Sequence, residues 1–352
     1  MILEDKKAAF IQLGHFLKQF SLYPYTKDHN VRFNDTHFES FSTIIDRLHE
    51  SNNWFKRNQV MFALKSWSNA LTSENLDHWM RSYDLSTEPL KTVGLILAGN
   101  IPMVGFHDVV SVLLSGNKAL IKLSSNDEML IPAALDYLKT AAPAFKDRYQ
   151  ITKKKLENFD AVIATGSDNT ARYFDYYFSK YPNIIRKNRH SVAVLNGNET
   201  KEDIEALGED IFRYYGLGCR NVSKLFVPEG YNFDAFFNGM FAYKDIIHDE
   251  KYANNYDYNK AVFLMSNFTI LDNGFLTVKQ DSSYASPISS IFYEFYSDLQ
   301  QVKDKLQADN EKIQCIVSNN LIEGSIPFGN TQTPKLWDYA DNVDTMNFLL
   351  SL

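Results

Sequence analysis

The chain has 352 residues, 45% of them hydrophobic and 22% charged, so it is long enough for more than one packed lobe and has the composition of a globular protein. Its 36 basic and 43 acidic residues give a formal net charge of -7, which offers no electrostatic case for binding nucleic acid or an anionic membrane. The two cysteines cannot build a disulfide framework, and no CxxC or HExxH spacing indicates a metal site.

The N-terminal region, residues 1–89, is predicted to be helical. Its segments KKAAFIQLGHFLKQF, FESFSTIIDRLHE and NWFKRNQVMFALKSWSNAL place apolar residues three and four positions apart. The opening MILEDKKAAFIQL carries charges where a secretory signal would be apolar. The longest charge-free apolar stretch, residues 92–106, is shorter than the roughly 18 residues of a membrane span. We therefore expect a cytoplasmic protein without integral membrane association.

Short apolar runs alternate with helical patterns from residue 90 onward. Strand-like runs near 93–98, 118–123, 160–165 and 190–197 are separated by helix-like segments, as in successive βαβ units. The pattern predicts an α/β fold, with a Rossmann-like parallel-sheet cofactor domain over 90–197 on which the N-terminal helices pack. A second α/β domain, predicted to be catalytic, follows over 198–328. The tail, 329–352, lacks periodicity and is expected to return to the other lobe or to make an oligomer contact.

Polar residues follow the predicted strands, where parallel sheets bind their ligands. Asn100 either caps the next helix or donates a hydrogen bond to an oxyanion, and Lys122 either extends to solvent or contacts a cofactor ribose or phosphate. Ser124 lies in the loop after the second strand. Gly166 and Ser167 either form a simple helix cap or hold a phosphate at a helix N-terminus. The residues alone leave these alternatives open.

The stretch YYGLGCRNVSK places Cys219 in a glycine-rich turn beside Arg220, at the junction of the two predicted lobes. Backbone amides and a neighbouring cation favour a thiolate, so Cys219 is a candidate nucleophile, although a structural role is equally open from the residues alone. Cys315 alternates with Ile313 and Val317 and is interpreted as a buried structural residue. The eight histidines show no metal spacing and are not assigned to catalysis.

The chain resembles the acyl-CoA reductase branch of the aldehyde dehydrogenase superfamily, the family of the bacterial bioluminescence fatty acid reductase subunit. The resemblance covers about residues 90–352. It rests on five segments in this order: GLILAGNIPMVGFHDVVSVLLSGNKALIKLSSND, DAVIATGSDNTARYF, HSVAVLNG, YYGLGCRNVSKLFVPEGY and IPFGNTQTPKLWDYADNVD. It implies an aldehyde dehydrogenase-like fold and a nicotinamide cofactor.

The resemblance also implies roles for individual residues. Cys219 matches the catalytic cysteine, and Asn100 matches the oxyanion-donating asparagine of an Asn-aromatic-Pro loop, in which Ile101 here replaces the aromatic residue. Lys122 matches a lysine that contacts the adenosine ribose. Gly166 and Ser167 match the helix cap under the pyrophosphate, and Ser124 is grouped with these cofactor-binding positions. NADPH is the expected cofactor, with NADH as the alternative.

One departure from the superfamily bears on the reaction. Hydrolytic aldehyde dehydrogenases carry a glutamate base in a Glu-Leu-Gly-Gly run, which we matched to the end of HSVAVLNG, where this chain has Val194-Leu195-Asn196-Gly197. Glu199 lies out of register. Without a base to activate water, an acyl-enzyme persists and can be reduced, which suits acyl-CoA chemistry.

The expected activity is therefore reduction of an acyl-CoA, most simply a fatty acyl-CoA, to the aldehyde through an acyl-cysteine. Two alternatives remain at this stage: a dehydrogenase acting on an acyl phosphate, and a non-reducing acyl-transfer subunit of a multienzyme reductase. By analogy with related folds we expect a homo-oligomer, and an acyl-transferring enzyme is a candidate partner.

Overall fold

The computed structural model describes residues 1–85 and 90–352, except for the side chain of residue 168. The end of the predicted N-terminal region, at residue 89, lies outside these described residues. The chain divides into two compact units. The first comprises Met1–Lys187 together with Lys335–Leu352, and the second comprises Asn188–Pro334.

Helices and strands are numbered along the described chain. The helices are Leu3–Lys18 (α1), Asn34–Ser51 (α2), Arg57–Ala70 (α3), Ser73–Met80 (α4), Phe106–Ser115 (α5), Leu130–Ala141 (α6), Asp168–Phe178 (α7), Lys201–Phe212 (α8), Phe233–Met240 (α9), Glu250–Met265 (α10), Leu299–Ala308 (α11) and Thr345–Leu350 (α12). The strands are Thr92–Ile96 (β1), Lys118–Lys122 (β2), Tyr149–Ile151 (β3), Ala161–Thr165 (β4), Asn183–Arg186 (β5), His190–Val194 (β6), Val222–Pro228 (β7), Ile270–Asp272 (β8), Thr277–Gln280 (β9), Ser290–Tyr296 (β10) and Ile313–Val317 (β11).

The predicted helical N-terminal region is confirmed as α1 to α4. In α1, Phe10, Leu13 and Leu17 recur at the spacing of one helix face, and all three are fully buried. This face packs against α3, α5 and α6, so the N-terminal helices share one hydrophobic core with the first sheet. No helix within the described ranges is long and apolar enough to cross a membrane.

The first unit contains the predicted parallel sheet. Its strand order is β3-β2-β1-β4-β5, with every pair parallel, and β1 lies in the centre between β2 and β4. Val93, Ile121 and Ile163 are buried at 0–1% exposure, as strands covered on both faces require. The carboxyl ends of β1, β2 and β4 are therefore neighbours at one edge of the sheet.

The second unit contains a six-stranded sheet of order β11-β6-β7-β10-β9-β8, in which only the β8–β9 pair is antiparallel. Here the structure corrects our strand assignment, because β6 pairs with β7 and β11 in this sheet and does not complete the first one. The fifth strand of the first sheet is β5, which pairs with β4. A buried apolar run indicates that a strand is covered on both faces, but it carries no information on which sheet the strand joins.

The C-terminal segment returns to the first unit from Lys335 onward. Helix α12 packs against α5, and the side-chain amide of Asn117 donates to the carbonyl of Leu349 at 3.0 Å. Nearby, Trp79 donates to the hydroxyl of Tyr339 at 2.6 Å. Sequence positions more than 200 apart are thus joined in one core.

Candidate active site

The loops after β1 and β2 touch each other at the carboxyl edge of the first sheet. A Cβ atom built on Gly99 would lie 2.6 Å from both Cβ and Oγ of Ser124, a separation that real side chains do not adopt. Glycine is therefore required at position 99, because only it lets the two loops approach so closely. The Cβ and Oγ atoms of Ser124 are the atoms that face Gly99 in this contact. The Oγ also accepts the backbone N–H of Asn126 at 3.3 Å.

Asp127 connects the same two loops through hydrogen bonds. Its side chain is only 2% exposed, its Oδ2 accepts the N–H of Met103 at 2.8 Å, and its own N–H donates to the carbonyl of Ser124 at 3.1 Å. Met103 has a left-handed φ of 57°, which is uncommon for a residue with a side chain. Burial raises the pKa of the Asp127 carboxyl to about 6. Asp127 was not singled out from the sequence, because an acidic residue in a loop after a strand is common and its role depends on the atoms that it contacts.

The predicted cofactor residue Lys122 and the predicted oxyanion donor Asn100 lie at the carboxyl edge of the first sheet. Lys122 is the last residue of β2 and is half-buried, and within the described part of the chain no hydrogen bond or ion pair engages its ammonium group. Asn100 is exposed in the loop after β1. Lys122 thus ends β2, and Asn100 lies in the loop that follows the neighbouring strand β1.

Gly166 and Ser167 connect β4 to α7. Ser167 is the N-cap of α7, and its Oγ accepts the N–H of Thr170 at 3.3 Å. A Cβ on Gly166 would lie 3.0 Å from both Thr170 and Phe174, so a larger residue would fill the space over the first turn of the helix. A helix N-terminus beside a glycine, with the Lys122 ammonium at the end of a nearby strand, suits an anionic dinucleotide.

Cys219 belongs to the second unit and is exposed in the turn between α8 and β7. The chain reverses just before it through three left-handed residues, Tyr214, Tyr215 and Gly216, with φ of 53°, 58° and 77°. The carbonyl of Cys219 accepts a hydrogen bond from the Oγ of Ser191 on β6, at 2.9 Å. The sulfur is therefore carried by a backbone of defined conformation, which sequence reasoning did not predict.

The cation next to Cys219 in the sequence, Arg220, contacts the second cysteine. Arg220 donates a hydrogen bond to the Sγ of Cys315 at 3.3 Å, so its guanidinium is engaged by the second cysteine. Cys315 lies in β11 and is 5% exposed, which confirms its prediction as a buried residue.

The segment that ends the first sheet also lacks a glutamate, although β6 is not part of that sheet. The last strand of that sheet is β5, and residues 183–189 read Asn-Ile-Ile-Arg-Lys-Asn-Arg, again without a carboxylate. Arg186 in this stretch is buried against Asp108 at 2.5 Å. Glu199 accepts the N–H groups of Asn196 and Gly197 at 2.6 and 3.1 Å, which gives its carboxylate a structural role.

Other polar features lie apart from this site. A groove of about 710 Å³ opens at the opposite, amino edge of the first sheet, beside Thr92, Lys118 and Tyr149. The ring of His107 bonds to the carbonyl of Leu336 at 2.8 Å, in keeping with a structural residue. Among the residues that the structure describes, no group of three or more His, Cys, Asp or Glu side chains could hold a metal ion.

The fold is that of the aldehyde dehydrogenases. Aldehyde dehydrogenase 21 from Physcomitrella patens superposes with a TM-score of 0.67 at 13% identity, over 100% of this chain and 84% of that one. A benzaldehyde dehydrogenase from Corynebacterium glutamicum gives a TM-score of 0.62 at 12% identity, over 90% and 76% of the two chains. An NADP-dependent glyceraldehyde-3-phosphate dehydrogenase from Bacillus halodurans C-125, solved with NADP, gives 0.61 at 13% identity, over 90% and 73%.

Within that fold, the chain belongs to the LuxC acyl-CoA reductase family, whose family model matches residues 16–237. Two relatives are 24% identical: long-chain acyl-protein thioester reductase 2 of Photobacterium leiognathi over 221 residues, and the long-chain acyl-protein thioester reductase of Aliivibrio fischeri over 231 residues. These matches cover 56% and 58% of this chain but only 45% and 47% of the relatives, so the chain spans about half their length. The family match includes every predicted site residue and also reaches into the N-terminal helices, where we had recognised no motif.

Proposed function

We propose that the protein reduces a long-chain acyl thioester, with acyl-CoA as the simplest substrate, to the aldehyde at the expense of NADPH. The observation that carries this proposal is the exposed Cys219, held in a fixed turn within the segment that matches the acyl-CoA reductase family. An accessible thiolate is the nucleophile that thioester exchange requires.

The first step is attack of the Cys219 thiolate on the thioester carbonyl carbon. The side-chain amide of Asn100 and the backbone N–H of Cys219 are assigned to the oxyanion of the tetrahedral intermediate. The carbon–sulfur bond to CoA then breaks, and the CoA thiolate leaves. The product of this step is an acyl-cysteine on Cys219.

The cofactor half of the site is assigned to Lys122, Ser124, Gly166 and Ser167. The Lys122 ammonium would contact the adenosine ribose, and the N-terminus of α7 would hold the pyrophosphate. NADPH supplies a hydride when it is bound there. The bond between the acyl carbon and Cys219 Sγ breaks as the aldehyde forms, and the thiolate is regenerated.

The lack of a carboxylate in residues 183–189 and 194–197 supports reduction over hydrolysis. A water molecule near the acyl-cysteine would have no carboxylate from these segments to deprotonate it. The thioester would then survive until hydride transfer. This favours aldehyde as the product over a free acid.

The test is Cys219→Ala, assayed for NADPH oxidation that depends on hexadecanoyl-CoA, with mass detection of an acyl adduct on the wild type. We expect activity to fall by at least about 1,000-fold, because the nucleophile has no substitute. The matched control is Cys315→Ala, which removes the other thiol and should keep the adduct on Cys219. Full activity in Cys219→Ala, or an adduct that maps to Cys315, would contradict the proposal.

Two further outcomes would replace it with an alternative. Turnover of an acyl phosphate but not of a CoA thioester would indicate the acyl phosphate dehydrogenase. An acyl adduct on Cys219 with NADPH binding but no NADPH oxidation would indicate a non-reducing acyl-transfer protein.

A further inference from the structure

Asn221, two residues after Cys219, joins the nucleophile turn to the end of helix α8. Its side chain is 3% exposed. The Nδ2 group donates to the backbone carbonyls of Asp210, Ile211 and Arg213 at 3.0, 3.4 and 2.8 Å. These carbonyls belong to the last turn of α8 and the residue after it, which lack partners within the helix. The side-chain amide of Asn221 therefore supplies hydrogen bonds to three carbonyl groups at the end of α8.

The other side of the same amide closes the turn around Cys219. Asn221 Oδ1 accepts the N–H of Gly218 at 2.8 Å, while the backbone N–H of Asn221 donates to the carbonyl of Gly218 at 3.0 Å. Cys219 and Arg220 are the two central residues of this turn, which is closed by hydrogen bonds in both directions. The conformation at Cys219 is thus set by Asn221 from one side and by Ser191 from the other.

Helix α8, whose last carbonyls contact Asn221, is held by buried hydrogen bonds to the segment around residues 329–331. Asp210 on α8 is 0% exposed, and its carboxylate accepts the N–H groups of Gly329 and Thr331 at 2.7 and 2.9 Å. The carbonyl that Asn221 contacts is therefore part of a buried network and not of a fraying helix end. This gives the turn a rigid support within the second unit.

Position 221 needs a short side chain with both a hydrogen-bond donor for the carbonyls of α8 and an acceptor for the N–H of Gly218, and asparagine has both. Aspartate at 221 would direct a carboxylate oxygen at three carbonyl oxygens, and alanine would remove four of the hydrogen bonds. Glutamine adds a methylene group in a place that is almost fully buried.

We propose that Asn221 is the positioning residue of the nucleophile: by closing the 218–221 turn onto α8, it sets the direction in which the Cys219 sulfur is presented to the acyl carbonyl. This inference rests on the proposed function of Cys219. A small misplacement of a nucleophile slows covalent chemistry by factors on the order of 10 to 100, while substrate-independent features of the fold persist.

The experiment compares Asn221→Ala and Asn221→Asp with the wild type and with Asn259→Ala. Asn259 offers a matched control, since its Nδ2 also donates to a backbone carbonyl in the second unit, that of Ile288 at 2.9 Å. Rapid mixing with hexadecanoyl-CoA, followed by mass spectrometry, gives both the rate of acyl-adduct formation on Cys219 and the final number of adducts per chain.

We expect both Asn221 variants to form the adduct at least about tenfold more slowly while still reaching one adduct per chain, with the KM for NADPH within twofold of wild type. Asn259→Ala should match the wild type in both quantities. A wild-type rate in the Asn221 variants, or a wild-type rate with fewer adducts per chain, would overturn the inference, because the second result reports only a loss of folded protein.

The hydrogen bond from Ser191 and the alkylation of Cys219 offer two further measurements. If the Asn221 variants do not fold, Ser191→Ala removes only the hydrogen bond to the carbonyl of Cys219 and should slow adduct formation by about two- to tenfold; an unchanged rate would overturn the inference. If the wild type forms no adduct at all, the proposed function fails. The rate of Cys219 alkylation by iodoacetamide, compared between wild type and Asn221→Asp, then decides the role of Asn221 without acyl chemistry.

Discussion

At the scale of single residues, the two cysteines differ in their exposure to solvent and in the contacts around them. Cys219 is exposed in a locked turn, whereas Cys315 is 5% exposed in a strand and accepts a hydrogen bond from Arg220. The sequence indicated this difference through the glycines around Cys219 and the alternation around Cys315. It did not indicate Asn221 or Asp127, because an Asn or Asp near a strand end is common, and its role depends on which atoms it meets.

Asp127 leads to a prediction on pH. Its carboxyl is held in the folded protein with a pKa of about 6, while the unfolded chain loses the same proton near pH 4. Between these values the folded state binds more protons than the unfolded state. The free energy of unfolding therefore falls as pH rises, with the contribution of Asp127 present below pH 4 and lost through pH 6.

We expect Asp127→Asn to remove this dependence, since an amide does not titrate and its oxygen can still accept the N–H of Met103. The unfolding free energy of the wild type minus that of the variant should fall by up to about 3 kcal/mol from pH 4 to pH 7, because only the wild type loses stability over this range. Urea denaturation at steps of half a pH unit measures it. Asp245→Asn, at an exposed carboxyl, is the control, and parallel curves for wild type and Asp127→Asn would count against this assignment.

At the scale of elements, the loops after β1 and β2 contact each other at the carboxyl edge of the first sheet. The sequence predicted both strands and the polar character of both loops. It could not show that Gly99 and Ser124 touch, because their contact depends on the parallel register that pairs Ile96 with Lys122.

This contact predicts the effect of Gly99→Ala. The added methyl group would lie 2.6 Å from Ser124, so the loops must separate, at a cost of about 1–3 kcal/mol in unfolding free energy and with weaker NADPH binding. Ser124→Gly should restore at least half of both losses in the double variant, because it removes the two atoms that clash. Additive losses in the double variant would show that the steric explanation is wrong. Thermal melting and fluorescence titration with NADPH measure the two effects.

The strand assignments succeeded or failed for identifiable reasons. The long apolar runs at β1, β2, β4 and β6 were recognised as strands because buried parallel strands are continuously apolar. The three-residue β3 and the four-residue β5, with Asn183 and Arg186 at its ends, carry too little apolar pattern to be seen. The apolar run at β6 was therefore counted with the first sheet, and β5 was not detected.

At the scale of the whole molecule, the chain leaves the first unit at Lys187 and returns to it at Lys335. The returning segment ends in α12, whose Met346 and Leu349 are fully buried. The side-chain hydroxyl of Thr345 also accepts a hydrogen bond from Arg186 at 3.1 Å, beside the buried Arg186–Asp108 ion pair. The C-terminus therefore contributes to the core of the first unit.

Deletion of residues 345–352 should destabilise the first unit by about 4 kcal/mol or more, the value of two large apolar side chains taken out of water. Amide hydrogen exchange should then accelerate in α5, while the strands of the second unit keep their protection. Removal of only Ser351 and Leu352 is the control and should have a smaller effect. Equal loss of protection in both units would contradict this description of the tail.

The sequence by itself determined the α/β class, the helical N-terminal region, the family and the candidate nucleophile, because periodicity, glycine placement and motif order are local properties of the chain. Only the tertiary structure decided that β6 belongs to the second sheet, that Arg220 contacts Cys315, that Asp127 accepts the N–H of Met103, and that Asn221 bonds to the end of α8 and to Gly218. These facts depend on pairing and burial between residues far apart in sequence, and such contacts are fixed by the packing of whole elements.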